Sequence, residues 1–89
     1  MNAAVSNLKV FEENLTAAID PALSAKGMAE RIVTAALEAE FGKAFTLSPG
    51  FAKIVGTLAE VVVTNPELRR QALAVASVYI KKNRDRQKS

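Results

Sequence analysis

Each of the three prolines in this chain directly follows a residue whose side chain can cap a helix. The pairs are Asp20-Pro21, Ser48-Pro49 and Asn65-Pro66. Such a pair is typical of a helix start, because the side-chain oxygen accepts a backbone hydrogen bond from the first turn. Proline then suits the first helical position, where its φ is already helical and its missing N–H costs nothing. The three pairs therefore predict helix starts, and none of them needs to interrupt a helix.

Apolar residues recur at helical spacing between these pairs, which favours an all-α fold: a compact bundle of four helices with short connections. The helices are predicted at about 7–19, 22–41, 49–64 and 66–83. Ser6 or Asn7 can cap the first helix, and Ser24 is a second candidate start for the next one. Gly42 is well placed to end that second helix. The run 61–63 (three valines) has strand propensity, but the period of the preceding residues favours helix.

The connection before Ser48 contains two apolar residues, Phe45 and Leu47, that alternate with polar ones. Five residues without a partner strand cannot make a sheet. We therefore expect both side chains to pack into the core.

The last two helices carry apolar arcs that are wider than half a turn, from Phe51 onward and from Leu68 to Ile80. A domain of 89 residues has little interior in which to cover two such arcs. The last helix is therefore either central in its own domain or shared with a second chain, and the pattern favours self-association over a monomer. The expected self-association contacts are Val55, Leu58, Val62, Leu73, Val75 and Ile80.

Charge is distributed unevenly along the chain. Residues 1–68 carry five basic and eight acidic side chains, a net charge of −3, whereas residues 69–89 carry seven basic and one acidic, a net charge of +6. We expect the packed domain to span 1–80 and a basic tail, 81–89, to project into water. Such asymmetry can mark an anionic partner. The candidate anion or nucleic-acid contacts are Arg69, Arg70, Lys81, Lys82, Arg84, Arg86 and Lys88.

Two other interpretations of the basic end compete with nucleic-acid binding. Basic residues near a helix C-terminus interact favourably with its dipole and keep an apolar helix soluble. A helix-turn-helix around Thr64 would place four polar residues in the first turns of a recognition helix: Glu67, Arg69, Arg70 and Gln71. The residues from Ala72 onward, however, are too apolar for a DNA groove. No aromatic residue suited to base stacking lies nearby, so the sequence predicts at most nonspecific binding.

Catalytic chemistry has little support in this composition. The chain lacks His and Cys, which removes the usual general base, thiolate nucleophile and commonest metal ligands. The neighbouring carboxylates at 12–13 and 38–40 do not face one another on a helix, and the four glycines are scattered. We expect no enzymatic activity, no catalytic or metal-binding residues, no cofactor and no small-molecule substrate.

No stretch approaches the roughly 18 consecutive apolar residues of a membrane span, and residues 1–6 do not resemble a secretory signal. We therefore expect a cytoplasmic protein without a membrane partner. The favoured function is a non-enzymatic helical protein–protein interaction module that self-associates through its last two helices. The alternatives are a nonspecific nucleic-acid-binding protein and a fragment of a larger protein.

Overall fold

The computed structural model describes the backbone of residues 3–88 and the side chains of residues 7–85. Its elements are α1 (Ala3–Ala18), α2 (Ala25–Phe41), a 3₁₀ helix (Lys43–Leu47), α3 (Phe51–Thr64) and α4 (Pro66–Lys88). No strand occurs within residues 3–88, and the three valines at 61–63 are helical. The predicted all-α bundle of four helices is confirmed.

Two helices, α2 and α4, each pack against all three of the others, whereas α1 and α3 do not touch one another within residues 3–88. The main core lies between α1, α2 and α4. Its buried residues are Leu15, Ile19, Ala35 and Ala76, and the partly buried residues packed around them are Phe11, Met28, Ile32, Val75, Tyr79 and Ile80. Helix α4 is therefore central, one of the two arrangements that its wide apolar arc allowed.

Helix α3 lies at the side of this core rather than within it. Its buried residues are Val55 and Ala59. An ion pair between Lys26 Nζ and Glu60 Oε2, 3.2 Å apart, links α2 to the outer side of α3. Both side chains of that pair are about half exposed, so the ion pair contributes little to stability. Because α3 is covered mainly along the Val55 side, part of its apolar arc stays in contact with water.

Only one of the three cap–proline pairs begins a helix. The Asn65 side-chain oxygen accepts hydrogen bonds from the backbone N–H groups of Glu67 and Leu68, at 3.0 and 3.1 Å, and Pro66 is the first residue of α4. The Asp20 carboxylate instead accepts from Ala22 N–H at 2.8 Å and forms a turn. The start predicted at residue 22 is therefore wrong.

Helix α2 begins at the alternative site, where Ser24 Oγ accepts a hydrogen bond from Gly27 N–H at 3.1 Å. Helix α3 begins two residues later than predicted, at Phe51. The residue before it is Gly50, whose φ of +82° suits glycine and whose lack of a side chain means that no side-chain cap exists there. Ser48 and Pro49 thus belong to a turn.

Gly42 ends α2 as predicted, with φ of +90° and its N–H donated to the Glu38 carbonyl oxygen at 2.8 Å. The expectation for the next connection was half wrong: Phe45 is partly buried, but Leu47 is 83% exposed. The reason is that residues 43–47 form a 3₁₀ helix. Residues two apart lie on the same side of a strand but about 120° apart around a 3₁₀ helix, so both cannot face the core.

The first and last helices are longer than predicted. Helix α1 begins at Ala3, so Ser6 and Asn7 lie inside it rather than capping it. Helix α4 continues to Lys88, and the packed part does not stop at Ile80. Asn83 Nδ2 donates a partly buried hydrogen bond of 2.7 Å to the carbonyl oxygen of Thr16, near the end of α1. Residues 81–88 of the supposed tail are therefore helical, and Asn83 attaches this part of α4 to the bundle.

Candidate interaction surfaces

A regular row of uncovered apolar side chains runs along α3. Ile54, Leu58 and Val61 are 42, 41 and 52% exposed, and their spacing of four and three residues places them on one face. We call these three residues the α3 ridge. Large apolar side chains that line up in this way, rather than lying scattered, are a feature of protein contact surfaces.

The six residues predicted to mediate self-association have different environments. Val55 is only 7% exposed, and Val75 and Ile80 are packed against the core of their own chain. Val62 is partly buried. Leu58 and Leu73 remain more than one third exposed, but they lie on different helices. The sequence pattern showed which helices had apolar residues to spare, but not which side of each helix the fold would cover.

An aromatic cluster adjoins the start of the ridge. The rings of Phe41 and Phe45 have centroids 5.1 Å apart, and those of Phe45 and Phe51 are 5.6 Å apart and nearly perpendicular. Phe51 precedes Ile54 by one helical turn, so the cluster and the ridge share a side of α3. Phe41 is 62% exposed, so this end of the molecule also presents apolar surface.

A separate surface, formed by exposed basic residues, lies on α4. Arg70, Lys81 and Arg84 are exposed, and a turn of 100° per residue places them within about 60° of one another. We call these three residues the basic face. Arg70 Nη2 lies 2.6 Å from Glu67 Oε2 in the preceding turn, so part of its charge is already paired. Arg69 is also exposed but points to another side of the helix.

The remaining predicted basic contacts are not part of one surface. Lys82 Nζ lies 5.1 Å from the centre of the Tyr79 ring, which explains how a lysine is accommodated beside the packed side of α4. Arg86 and Lys88 lie in the last turn of α4. The side chains of these last two residues lie outside the described ones.

Asn83 is the structurally important residue that the sequence interpretation missed. It lies one turn beyond Tyr79 and Ile80, both of which pack against the core. Its spacing could have predicted this contact, since Asn83 lies on the same side of α4 as Ala76 and Ile80. Its amide can reach a carbonyl at a helix end, where such groups lack partners within their own helix. The missed contact attaches this end of α4, with Lys81 and Arg84, to α1.

Tyr79, on the packed side of α4, is influenced by the nearby carboxylate of Glu12. Burial raises the pKa of Tyr79, and the negative charge of Glu12 adds to that effect. The Tyr79 ring also packs edge-on against Phe11, with centroids 6.2 Å apart, which is typical of a core residue. Among the described residues, no three acidic side chains are grouped in a way that could hold a metal ion.

Comparison with protein-family models, curated proteins and solved structures finds no match for this chain. Within the part of the chain that the structure describes, no helix is both long and apolar enough to cross a bilayer. The two surfaces above are therefore the observations from which a function can be argued.

Proposed function

We propose that this protein is a non-enzymatic helical interaction module that associates with a second copy of itself through the α3 ridge. The observation that carries the proposal is the alignment of Ile54, Leu58 and Val61, all about half exposed on one helix face. In a twofold dimer the same patch faces itself, so an apolar ridge on each chain meets an equivalent ridge.

The surface area of the monomer is large enough to leave room for an interface with a partner. A compact monomer of 9.5 kDa is expected to expose about 5,000 Å². This chain exposes 6014 Å². The difference, about 1,000 Å², is comparable with the roughly 800 Å² that each partner buries in a standard protein–protein interface. A dimer would bring the exposed area per chain close to the expected value.

The free energy available from burying the side chains of the α3 ridge indicates a weak dimer. Fully burying a large aliphatic side chain contributes about 1.5–3 kcal/mol, so completing the burial of a half-covered one contributes about 1 kcal/mol. Six such side chains across a twofold interface contribute about 6 kcal/mol, near the lower end of the roughly 4–15 kcal/mol that association costs. The exposed Phe41 and Leu47 would have to add apolar contact for a tight complex. We therefore expect association that depends on concentration.

Val61 and Val78 provide a matched pair of variants for testing the proposal. Both are valines in helices and both are 52% exposed, but Val61 belongs to the ridge and Val78 lies on the outer side of α4. Sedimentation equilibrium should show that the wild type dimerises as its concentration rises from micromolar to millimolar. Val61→Asp should remain a monomer, because dimerisation would bury an unpaired charge.

Val78→Asp should dimerise like the wild type, because the same charge is added away from the ridge. A wild type that stays monomeric throughout the range would refute self-association. If Val78→Asp abolished dimers and Val61→Asp did not, a surface on α4 would be the interface instead. Far-ultraviolet circular dichroism should show the same helix content in all three proteins.

A further inference from the structure

We infer that the basic face of α4 is a second, separate interaction surface that binds the phosphate backbone of duplex nucleic acid without reading its sequence. The structure shows that these basic residues lie on a helix, whereas the sequence predicted a tail that projects into water. The basic residues near the C-terminus are not spread along a flexible tail: α4 is one helix from Pro66 to Lys88, and its basic residues therefore have fixed spacing. Arg70 and Arg84 are 14 residues apart, about 21 Å along the helix axis, which spans about six base-pair steps.

The bundle holds this face in position. Asn83 lies between Lys81 and Arg84 in sequence, and its amide donates a 2.7 Å hydrogen bond to the Thr16 carbonyl oxygen of α1. Tyr79 and Ile80, just before Lys81, pack against the core. Lys81 and Arg84 thus project from a fixed stretch of helix, so less backbone freedom is lost when they contact phosphates.

The charges around the face favour a polyanion that approaches from one direction. Residues 1–68 carry a net charge of −3 and residues 69–89 a net charge of +6, so phosphates are attracted to α4 and repelled by most of the rest of the molecule. Two carboxylates lie near the face. Glu67 is paired with Arg70, and Asp85 is at the edge, beside a shallow groove that Glu12 and Glu13 also line.

The composition of the face favours duplex nucleic acid over other anionic partners. The residues between Arg70 and Lys81 in the middle of this face are small, Ala74 and Ser77, and the exposed apolar residues Leu73 and Val78 lie at its edges, so few apolar side chains are available to insert into a lipid surface. It also has no aromatic ring on which bases of a single strand could stack, since the Tyr79 ring packs against Phe11. A row of charges along one helix fits the regular spacing of duplex phosphates.

The test compares two double variants that lose the same charges from different surfaces. Lys81→Gln with Arg84→Gln removes two residues of the basic face. Lys82→Gln with Arg31→Gln removes one lysine and one arginine that are also exposed but lie elsewhere, beside Tyr79 and on α2. Binding to a short, mixed-sequence duplex DNA is measured by fluorescence anisotropy across a salt series.

Three phosphate contacts predict that the affinity of the wild type falls about fortyfold between 50 and 200 mM salt, a logarithmic slope of about −2.7. The basic-face variant should keep about one contact and lose only about threefold over the same range, from a lower starting affinity. The control variant should behave like the wild type. Absence of DNA binding at 50 mM salt, or equal losses in both variants, would overturn the inference.

Two further probes separate the duplex from other anions. Polyglutamate and vesicles containing an anionic lipid are tested at the same salt concentrations. Binding to either one that is as tight as binding to the duplex would assign the face to acidic proteins or to membranes and overturn the inference. Tighter binding to the single strand than to the duplex would also contradict it. Because the α3 ridge contributes no charge to this face, Val61→Asp at low concentration should bind DNA as the wild type does.

Discussion

At the scale of single residues, Gly56 is a position where the sequence departs from what a helix favours. It lies inside α3, and a Cβ added there would meet no described atom within 4 Å apart from its chain neighbours and the adjacent backbone of its own helix. Glycine within a helix costs about 0.5–1 kcal/mol relative to alanine, mainly through the entropy of the unfolded chain. Gly56→Ala should therefore raise the free energy of unfolding by about 0.5–1 kcal/mol, measured by urea denaturation.

Gly27 provides the comparison for that substitution. A Cβ at Gly27 would lie 3.3 Å from Leu23 Cδ2 and 3.4 Å from Ser24 Oγ, the atom that caps α2. Gly27→Ala should therefore stabilise less than Gly56→Ala, or destabilise. If Gly56→Ala gave no stabilisation, the open space beside Gly56 would have to be occupied in solution.

The one tyrosine predicts how stability changes at high pH. Burial raises the pKa of Tyr79 above its ordinary value of 10.0, so the neutral phenol is favoured in the folded state. The resulting stabilisation is fully present below pH 10 and is lost as the pH rises through the raised pKa of the folded state. Tyr79→Phe should remove this part of the pH dependence, measured by urea denaturation from pH 8 upward. A loss of stability above pH 10 that was identical in both proteins would assign it to other groups.

At the scale of elements, the three cap–proline pairs had similar sequences but formed different structures. Asn65 accepts two backbone hydrogen bonds at the start of α4, whereas no hydrogen bond to the Ser48 side chain is seen at the start of α3, which follows Gly50. Asn65→Ala should lower the free energy of unfolding by about 1 kcal/mol. Ser48→Ala should change it by less than about 0.5 kcal/mol. Equal effects in thermal or urea denaturation would show that Asn65 is not the stronger cap.

The four α-helices and their order could be predicted because apolar spacing and capping residues act within one or two turns, whereas the 3₁₀ helix at 43–47 was not predicted. Helix starts were less predictable, since the bond that Asp20 makes to Ala22 N–H in a turn resembles the bond a cap makes in a helix. The exposed surfaces were least predictable. Val55 and Leu58 are one turn apart on α3 and equally apolar, but only the packing of the other helices decides that Val55 is buried and Leu58 is not.

At the scale of the whole molecule, shape explains why apolar surface remains exposed. The bundle measures 38 × 35 × 21 Å, and its shortest dimension is about two helix diameters. Its radius of gyration, 13.1 Å, exceeds the roughly 12 Å expected for a compact domain of this length. Within residues 3–88, α1 and α3 do not meet, so α3 is covered on fewer sides than α4. The uncovered side of α3 is the ridge.

If a second copy covers that side, folding and association are linked, and the melting temperature of the wild type should rise with protein concentration. Each kcal/mol gained by association corresponds to about 4–8 °C for a domain of this size. Val61→Asp should melt at a temperature that does not depend on concentration, and Val78→Asp should follow the wild type. Differential scanning calorimetry over the same concentration range measures all three. If the melting temperature of Val61→Asp rose by the same amount, the molecule would associate through another surface. If the melting temperature of the wild type did not change with concentration, the α3 ridge would stay exposed to water in a stable monomer.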